Sequence, residues 1–166
     1  MRLTLAPAAL VALAPASAFA VTYLSPEQAA QLMFPEADRF ESLTLPTEGG
    51  RPLGVRVAKK GGAVLGYVVL DDVIGKVELI SYAVGIATDG SVRQVEILAY
   101  RESHGSEIRL PAWRKQFIGK TAAAPLRIGE DIANISGATL SCTHVTDGVR
   151  RIVATLGAAR RAGALG

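Results

Sequence analysis

The sequence predicts an α+β fold: a mainly antiparallel sheet with flanking helices, in a single domain. Three observations carry that expectation. Between Val55 and Tyr100, four runs dense in β-branched and aromatic residues follow one another with turn signals between them. Helical patterns lie outside that block, one ahead of it and the longest at the end of the chain. The chain has 166 residues, 49% of them hydrophobic, which suits one domain with a real core.

Taken in order, residues 1–20 read as a secretory signal peptide. Arg2 supplies a minimal positive start, Leu3 to Leu13 an apolar stretch, and Ala18-Phe19-Ala20 a small-x-small cleavage site. The competing reading is a membrane anchor, but the stretch is short for a span and Pro7 and Pro15 interrupt it. No Cys stands at the cleavage site, so a lipid anchor has no attachment point there. Residues 21–52 read as an N-terminal helix and linker. Ser25 suits an N-cap, Pro26 the first helical position and Gln28 the capping-box position, so a helix is expected over 25–34. Ala29, Leu32 and Met33 share one face, and Pro35 stops the helix. Residues 46–52, Pro-Thr-Glu-Gly-Gly-Arg-Pro, are a loop ahead of the main domain at 53–166.

Strands are expected at Val55–Ala58, Val64–Leu70, Val77–Ala87 and Val92–Tyr100, with turns at Gly61-Gly62 and Asp89-Gly90. The Asp-Gly pair tolerates positive φ at both positions, so antiparallel pairing follows across 77–100. Residues 105–118 suggest a helix with Ile108, Leu110, Trp113 and Phe117 as apolar contacts, weakened at Pro111. Residues 120–135 read as loop with room for one short strand. From Ser141 onward Val145, Val149, Ile152, Val153 and Leu156 recur at helical spacing, with Gly157 or Gly163 as the stop.

Several functions are disfavoured by composition. Lys and Arg exceed Asp and Glu by three, 18 against 15, and Arg150, Arg151, Arg160 and Arg161 gather on one helix end. That local charge suits a helix C-terminus and does not argue for nucleic acid. His104 and His144 stand far apart with no Cys at ligand spacing, so a metal site has no support. Cys142, the one cysteine, cannot form an internal disulfide. It is either a thiol activated by a helix N-terminus or a small semi-buried residue. Neither a nucleophile elbow nor a Walker loop is present, and Asn134-Ile135-Ser136 matches a glycosylation sequon of the kind chance supplies often.

One run invites chemistry. Ser136-Gly137-Ala138-Thr139-Leu140-Ser141 is small, rich in hydroxyls and opens the last helix. Free N–H groups at a helix N-terminus favour an anion, and Gly137 and Ala138 let a ligand approach the backbone. Plain N-capping by Thr139 or Ser141 is the alternative on residue types alone.

The stretch Asp131-Ile-Ala-Asn-Ile-Ser136-Gly-Ala-Thr139-Leu-Ser141 resembles the flavinylation motif of the FMN-binding domain family. That family includes the flavin-carrying subunits of the sodium-pumping NADH:quinone oxidoreductase and of the Rnf complex. The resemblance implies an FMN joined through its phosphate to Thr139, transferred from FAD by an exported flavin transferase. It implies that Ser136, Gly137, Ala138 and Leu140 belong to the flavin loop, and that Ser141 is the trailing hydroxyl the transferase reads. Asp131 lies further upstream than the motif's acidic residue. The run Tyr100 to Ile108 is similar, more loosely, to a loop that lies beside the flavin in that family. Glu102 and Gly105 align there, while His104 stands where the family has proline and Glu107 where it has a second glycine.

A flavin ring also needs an apolar wall and a few hydrogen bonds. Trp113, Phe117 and Tyr100 are candidates for the wall, with core packing the competing fate of each. His104 is either a donor to the ring edge or a surface histidine. The expected function is therefore that of a periplasmic, exported electron carrier with covalent FMN, with no turnover of its own. Membrane redox proteins would be its donor or acceptor. The alternatives are a flavin-free module of the same fold, or one that binds FMN without a covalent bond.

Overall fold

The computed structural model describes residues 20–48 and 50–165. The expected signal peptide lies outside the described residues except for Ala20. Strands β1 (Val21–Thr22), β2 (Arg39–Leu45), β3 (Leu53–Lys60), β4 (Ala63–Ile74), β5 (Leu79–Ala87) and β6 (Val92–Tyr100) form one antiparallel sheet. Their order in space is β1-β6-β5-β4-β3-β2, so β2 to β6 is a meander and β1 closes the far edge. Helix α1 (Pro26–Met33) covers one face of the sheet and helix α3 (Thr139–Arg161) the other. A short helix α2 (Pro111–Arg114) sits in the connection between β6 and α3. The fold is α+β with a single antiparallel sheet, as the sequence predicts.

Alternation along the strands sorts the two layers. Tyr82, Val84 and Ile86 of β5 point into the α3 side, while Ala83 between them points to the α1 side. On the α1 side Ala29, Ala30, Met33 and Phe34 pack on Ala58, Val68, Ala83 and Leu98. Small residues on the sheet let the short helix lie close. On the other side Val145, Val149, Ile152, Val153 and Leu156 are all at most 1% exposed. Each contributes roughly 1.5–3 kcal/mol relative to an exposed side chain, which is what holds α3 across the sheet. Gly148 lets the helix approach: a Cβ there would stand 2.0 Å from Tyr82 Oη. That hydroxyl donates to Asp71 Oδ2 at 2.6 Å, and Arg151 of α3 donates to the same oxygen at 2.5 Å. The buried carboxylate thus ties helix to sheet through Tyr82 and Arg151.

Four details depart from the sequence reading. Strands β1 and β2 were not expected. Arg39-Phe40-Glu41-Ser42-Leu43 carries too few apolar residues to mark a strand, yet β2 is an edge strand whose Glu41 pairs with Lys59 on β3 at 2.6 Å. The loop at 46–52 consequently joins two strands of the same sheet. The helix expected over 105–118 is broken into a 3₁₀ turn (Ser106–Arg109), α2 and a second 3₁₀ turn (Lys115–Phe117). Pro111 is the reason, because it forces Leu110 out of the helical region to φ −61°, ψ 134°. At the β5–β6 turn Gly90 alone takes positive φ, at 90°, while Asp89 caps the turn by accepting from Ser91 N–H at 2.9 Å. Finally, α3 begins at Thr139, two residues before the expected start, and ends at Arg161 just before Gly163 at φ 70°.

Candidate functional site

The turn ahead of α3 sets up an open helix end. Ala138 N–H donates to Ile135 C=O at 3.0 Å, and Gly137 takes φ 84°, a conformation that favours glycine. The first helical bond of α3 runs from Cys142 N–H to Ala138 C=O at 2.9 Å. The N–H groups of Thr139, Leu140 and Ser141 therefore have no carbonyl partner within the helix. Ala138 occupies the N-cap, no side chain caps the end, and no acidic residue lies in the first turn. Thr139, Ser136 and Gly137 are exposed, whereas Ala138 and Ser141 are buried. A 23-residue helix thus presents the positive end of its dipole to solvent, with the Thr139 hydroxyl upon it. That hydroxyl accepts from Asn134 Nδ2 at 3.0 Å.

Two further segments meet this end. The loop after β6 turns back at Gly105, φ 88°, directly over Ala138. A Cβ on Gly105 would stand 2.7 Å from Tyr100 Oη and 3.0 Å from Ala138 Cβ. The Tyr100 hydroxyl donates to the His104 carbonyl and lies 3.0 Å from Ser141 Oγ, so one phenol joins the loop to the first turn of α3. Burial raises the Tyr100 pKa against the opposing hydrogen bond from Ser141.

The third segment is the turn between β4 and β5. Glu102 reaches it and accepts from the backbone N–H groups of Lys76, Val77 at 2.6 Å and Glu78 at 2.9 Å. Desolvation opposes ionisation of Glu102, yet these donors outweigh it and hold the carboxyl below its ordinary value. From the other side His144 of α3 places Nδ1 2.5 Å from Ile74 C=O and 2.9 Å from Gly75 C=O. The same end carries exposed apolar side chains: Ile74 is 59%, Val77 73% and Leu140 46% exposed. Leu140 lies one helical turn before His144, on the α3 face that meets the β4–β5 turn.

The residues singled out from sequence fall into two groups. Thr139, Ser136, Gly137 and Leu140 stand at the solvent-facing helix end, with Ala138, Ser141, Gly105 and Tyr100 directly beneath. Glu102 holds the neighbouring turn, and His104 is exposed with Nδ1 2.9 Å from Ser103 Oγ. Trp113 lies behind the loop, 4% exposed, its indole N–H donating to Ala133 C=O at 2.8 Å and its ring edge-on to Phe117 at 5.1 Å. Asp131 accepts from Leu126 and Arg127 N–H groups and pairs with Lys120 at 2.9 Å, fixing the loop in which Leu126 takes φ 47°. Cys142 is fully buried and burial pushes its thiol pKa up, so the activated-thiol reading does not hold. Asn134, His144 and the β4–β5 turn were missed. In the sequence Asn134 stands only within a sequon, and the other two reach the site through contacts of long sequence separation.

The model of the FMN-binding domain family matches residues 75–154. The chain carries an FMN-binding domain. No curated protein matches the chain. The matched FMN-binding segment starts in the β4–β5 turn and ends within α3, so all three segments of the site lie inside it. The match supports binding of flavin and electron transfer as its use.

Proposed function

We propose that this protein is an exported electron carrier whose FMN is esterified through its phosphate to Thr139. The observation that carries the reading is the exposed Thr139 hydroxyl on the uncapped N-terminus of a 23-residue helix. A phosphodiester there would receive the orphan N–H groups of Thr139, Leu140 and Ser141 together with the helix dipole. Gly137 leaves room beside it, and Leu140, Ile74 and Val77 offer an apolar surface within the same end of the molecule. When bound, FMN supplies one- or two-electron chemistry that no side chain of this chain provides. Around it the protein's part is to hold the phosphate, to fix the flanking turns through Glu102, Tyr100 and His144, and to leave one side open.

The open side suits exchange of electrons with another protein better than turnover of a small substrate in a closed pocket. Its partners under this reading are an exported flavin transferase and membrane redox proteins. The periplasmic location rests on the N-terminal signal pattern, and a covalent tether serves a compartment without a free flavin supply.

The test is intact-mass and peptide mass spectrometry of the protein co-expressed with an exported flavin transferase. The expected result is a flavin phosphoester on the peptide containing Thr139 and a yellow protein that keeps its colour after denaturation. Flavin released on denaturation would instead establish noncovalent binding. Colourless, unmodified protein would favour a flavin-free module of the same fold.

A further inference from the structure

Asn134 stands out because its one side-chain hydrogen bond among the described residues is to the hydroxyl proposed to carry the flavin. Its Nδ2 donates to Thr139 Oγ1 at 3.0 Å, although both residues are exposed and burial does not demand the contact. The backbone that delivers the amide is anchored on both sides of the neighbouring peptide. Ala133 C=O accepts the Trp113 indole N–H at 2.8 Å, and Ala133 N–H donates to Gln116 Oε1 at 2.7 Å. Trp113 is in turn packed against Phe117 in the core. A buried aromatic thus anchors the backbone beside a surface amide, and that amide holds the Thr139 hydroxyl.

We propose that Asn134 is the positioning residue for modification of Thr139 and the neutral donor that receives the resulting phosphodiester. This rests on Thr139 being the esterified residue. In the transfer, Thr139 Oγ1 forms a bond to the FMN-side phosphorus of FAD, and the pyrophosphate P–O bond to the AMP half breaks. AMP leaves with that electron pair, and the hydroxyl proton passes to a base of the transferase or to water. A hydrogen bond accepted by Oγ1 leaves the hydroxyl's own proton free to face that base and keeps a lone pair directed away from the loop. After transfer, Oγ1 is the bridging oxygen of a singly charged diester, and the same amide N–H can donate to it or to a non-bridging oxygen. A neutral donor favours that anion, where a carboxylate at position 134 would repel it. Asp131 does not substitute: its carboxylate is engaged by Leu126, Arg127 and Lys120.

The experiment follows esterification of wild type, Asn134→Ala, Asn134→Asp and Asn134→Gln by mass spectrometry, with FAD and an active exported transferase. It then records ³¹P spectra of the esterified products. Loss of one hydrogen bond to the reacting oxygen is expected to slow Asn134→Ala by about tenfold. Asn134→Asp is expected to be slower still, and Asn134→Gln, which keeps an amide, to recover part of the rate. The ³¹P resonance of the Asn134→Ala ester is expected to move, which a merely structural role would not produce. Asn134→Ala modified at the wild-type rate, or an unmoved resonance, would overturn the assignment to Asn134. Wild type left unmodified beside a positive control substrate would instead overturn the esterification of Thr139 itself.

Discussion

The N-termini of α1 and α3 pose the same physical problem and solve it in opposite ways. Each leaves backbone N–H groups without helical partners. At α1 the sequence closes the end: Ser25 Oγ accepts from Gln28 N–H at 3.1 Å, and Gln28 Oε1 accepts from Ser25 N–H at 2.8 Å. Glu27 adds negative charge in the first turn. At α3 none of these devices is present, although the helix is nearly three times as long, 23 residues against eight. The Ala138 side chain offers no oxygen, no acid lies in the first turn, and Gly137 bends the chain away. The chain builds a full capping box at one helix and omits every part of it at the other, so the N–H groups at the second end are left open. Under the proposed esterification of Thr139, a phosphate would supply what Ser25, Gln28 and Glu27 supply at α1.

The sharpest way to break this comparison is to remove the proposed attachment point. Thr139→Ala is expected to abolish covalent flavin completely, read as loss of the flavin mass and of colour in the denatured protein. Thr139 is exposed and does not cap α3, so unfolding of the unmodified variant should stay within about 0.5 kcal/mol of wild type. A large drop in stability would show that Thr139 closes the helix end in its own right.

Next in size is Gly105→Ala, which attacks the support beneath the open end. The left-handed φ and the approach to Tyr100 Oη and Ala138 together should cost roughly 2–4 kcal/mol. On a domain of this size that lowers the melting temperature by about 10 °C. Esterification of Thr139 should fall with it, because the Gly105 loop is what seats Ala138 and, through Tyr100, Ser141.

What could be read from the sequence divides along the same line. The α1 cap was legible because Ser25, Pro26 and Gln28 act within four residues, and β3 to β6 were legible from their own apolar runs. The Ser136–Thr139 loop was visible as small residues before a helical period, but residue types alone left capping and phosphate binding both open. Only the backbone settles that Thr139 is the first helical residue and that neither it nor Ser141 caps the end. Edge strands β1 and β2 escaped notice because pairing, with little hydrophobic pattern of their own, makes them strands. In the sequence Glu102 is singled out only through the loop resemblance over Tyr100 to Ile108. Its part in gathering the N–H groups of residues 76–78 depends on a contact spanning about 25 positions, which no local pattern encodes.

That contact makes a third prediction. The Glu102 carboxyl is held below its ordinary value, so its contribution to stability is present above the unfolded-state pKa and is lost as pH falls through the folded-state pKa. At neutral pH Glu102→Gln should cost about 1–2 kcal/mol, since the amide oxygen replaces a charged acceptor of three N–H groups. The gap between wild type and variant should narrow from about pH 5 toward pH 3, measured by denaturant melts at each pH. A gap that persists unchanged in acid would mean that shape, not charge, holds the β4–β5 turn.

The smallest effect tests the closed end. Ser25→Ala removes one half of the capping box and leaves Gln28 N–H without its acceptor, at a cost of about 1 kcal/mol. Because α1 packs on the sheet face opposite α3, the loss should be the same in the esterified and unesterified protein, and the rate of esterification should not change. Paired melts of the two forms measure this directly. Equal losses would place the closed and open helix ends in energetically separate parts of the molecule. An unequal loss would mean that the sheet transmits strain between its two faces, and that the open end of α3 is tuned from the other side.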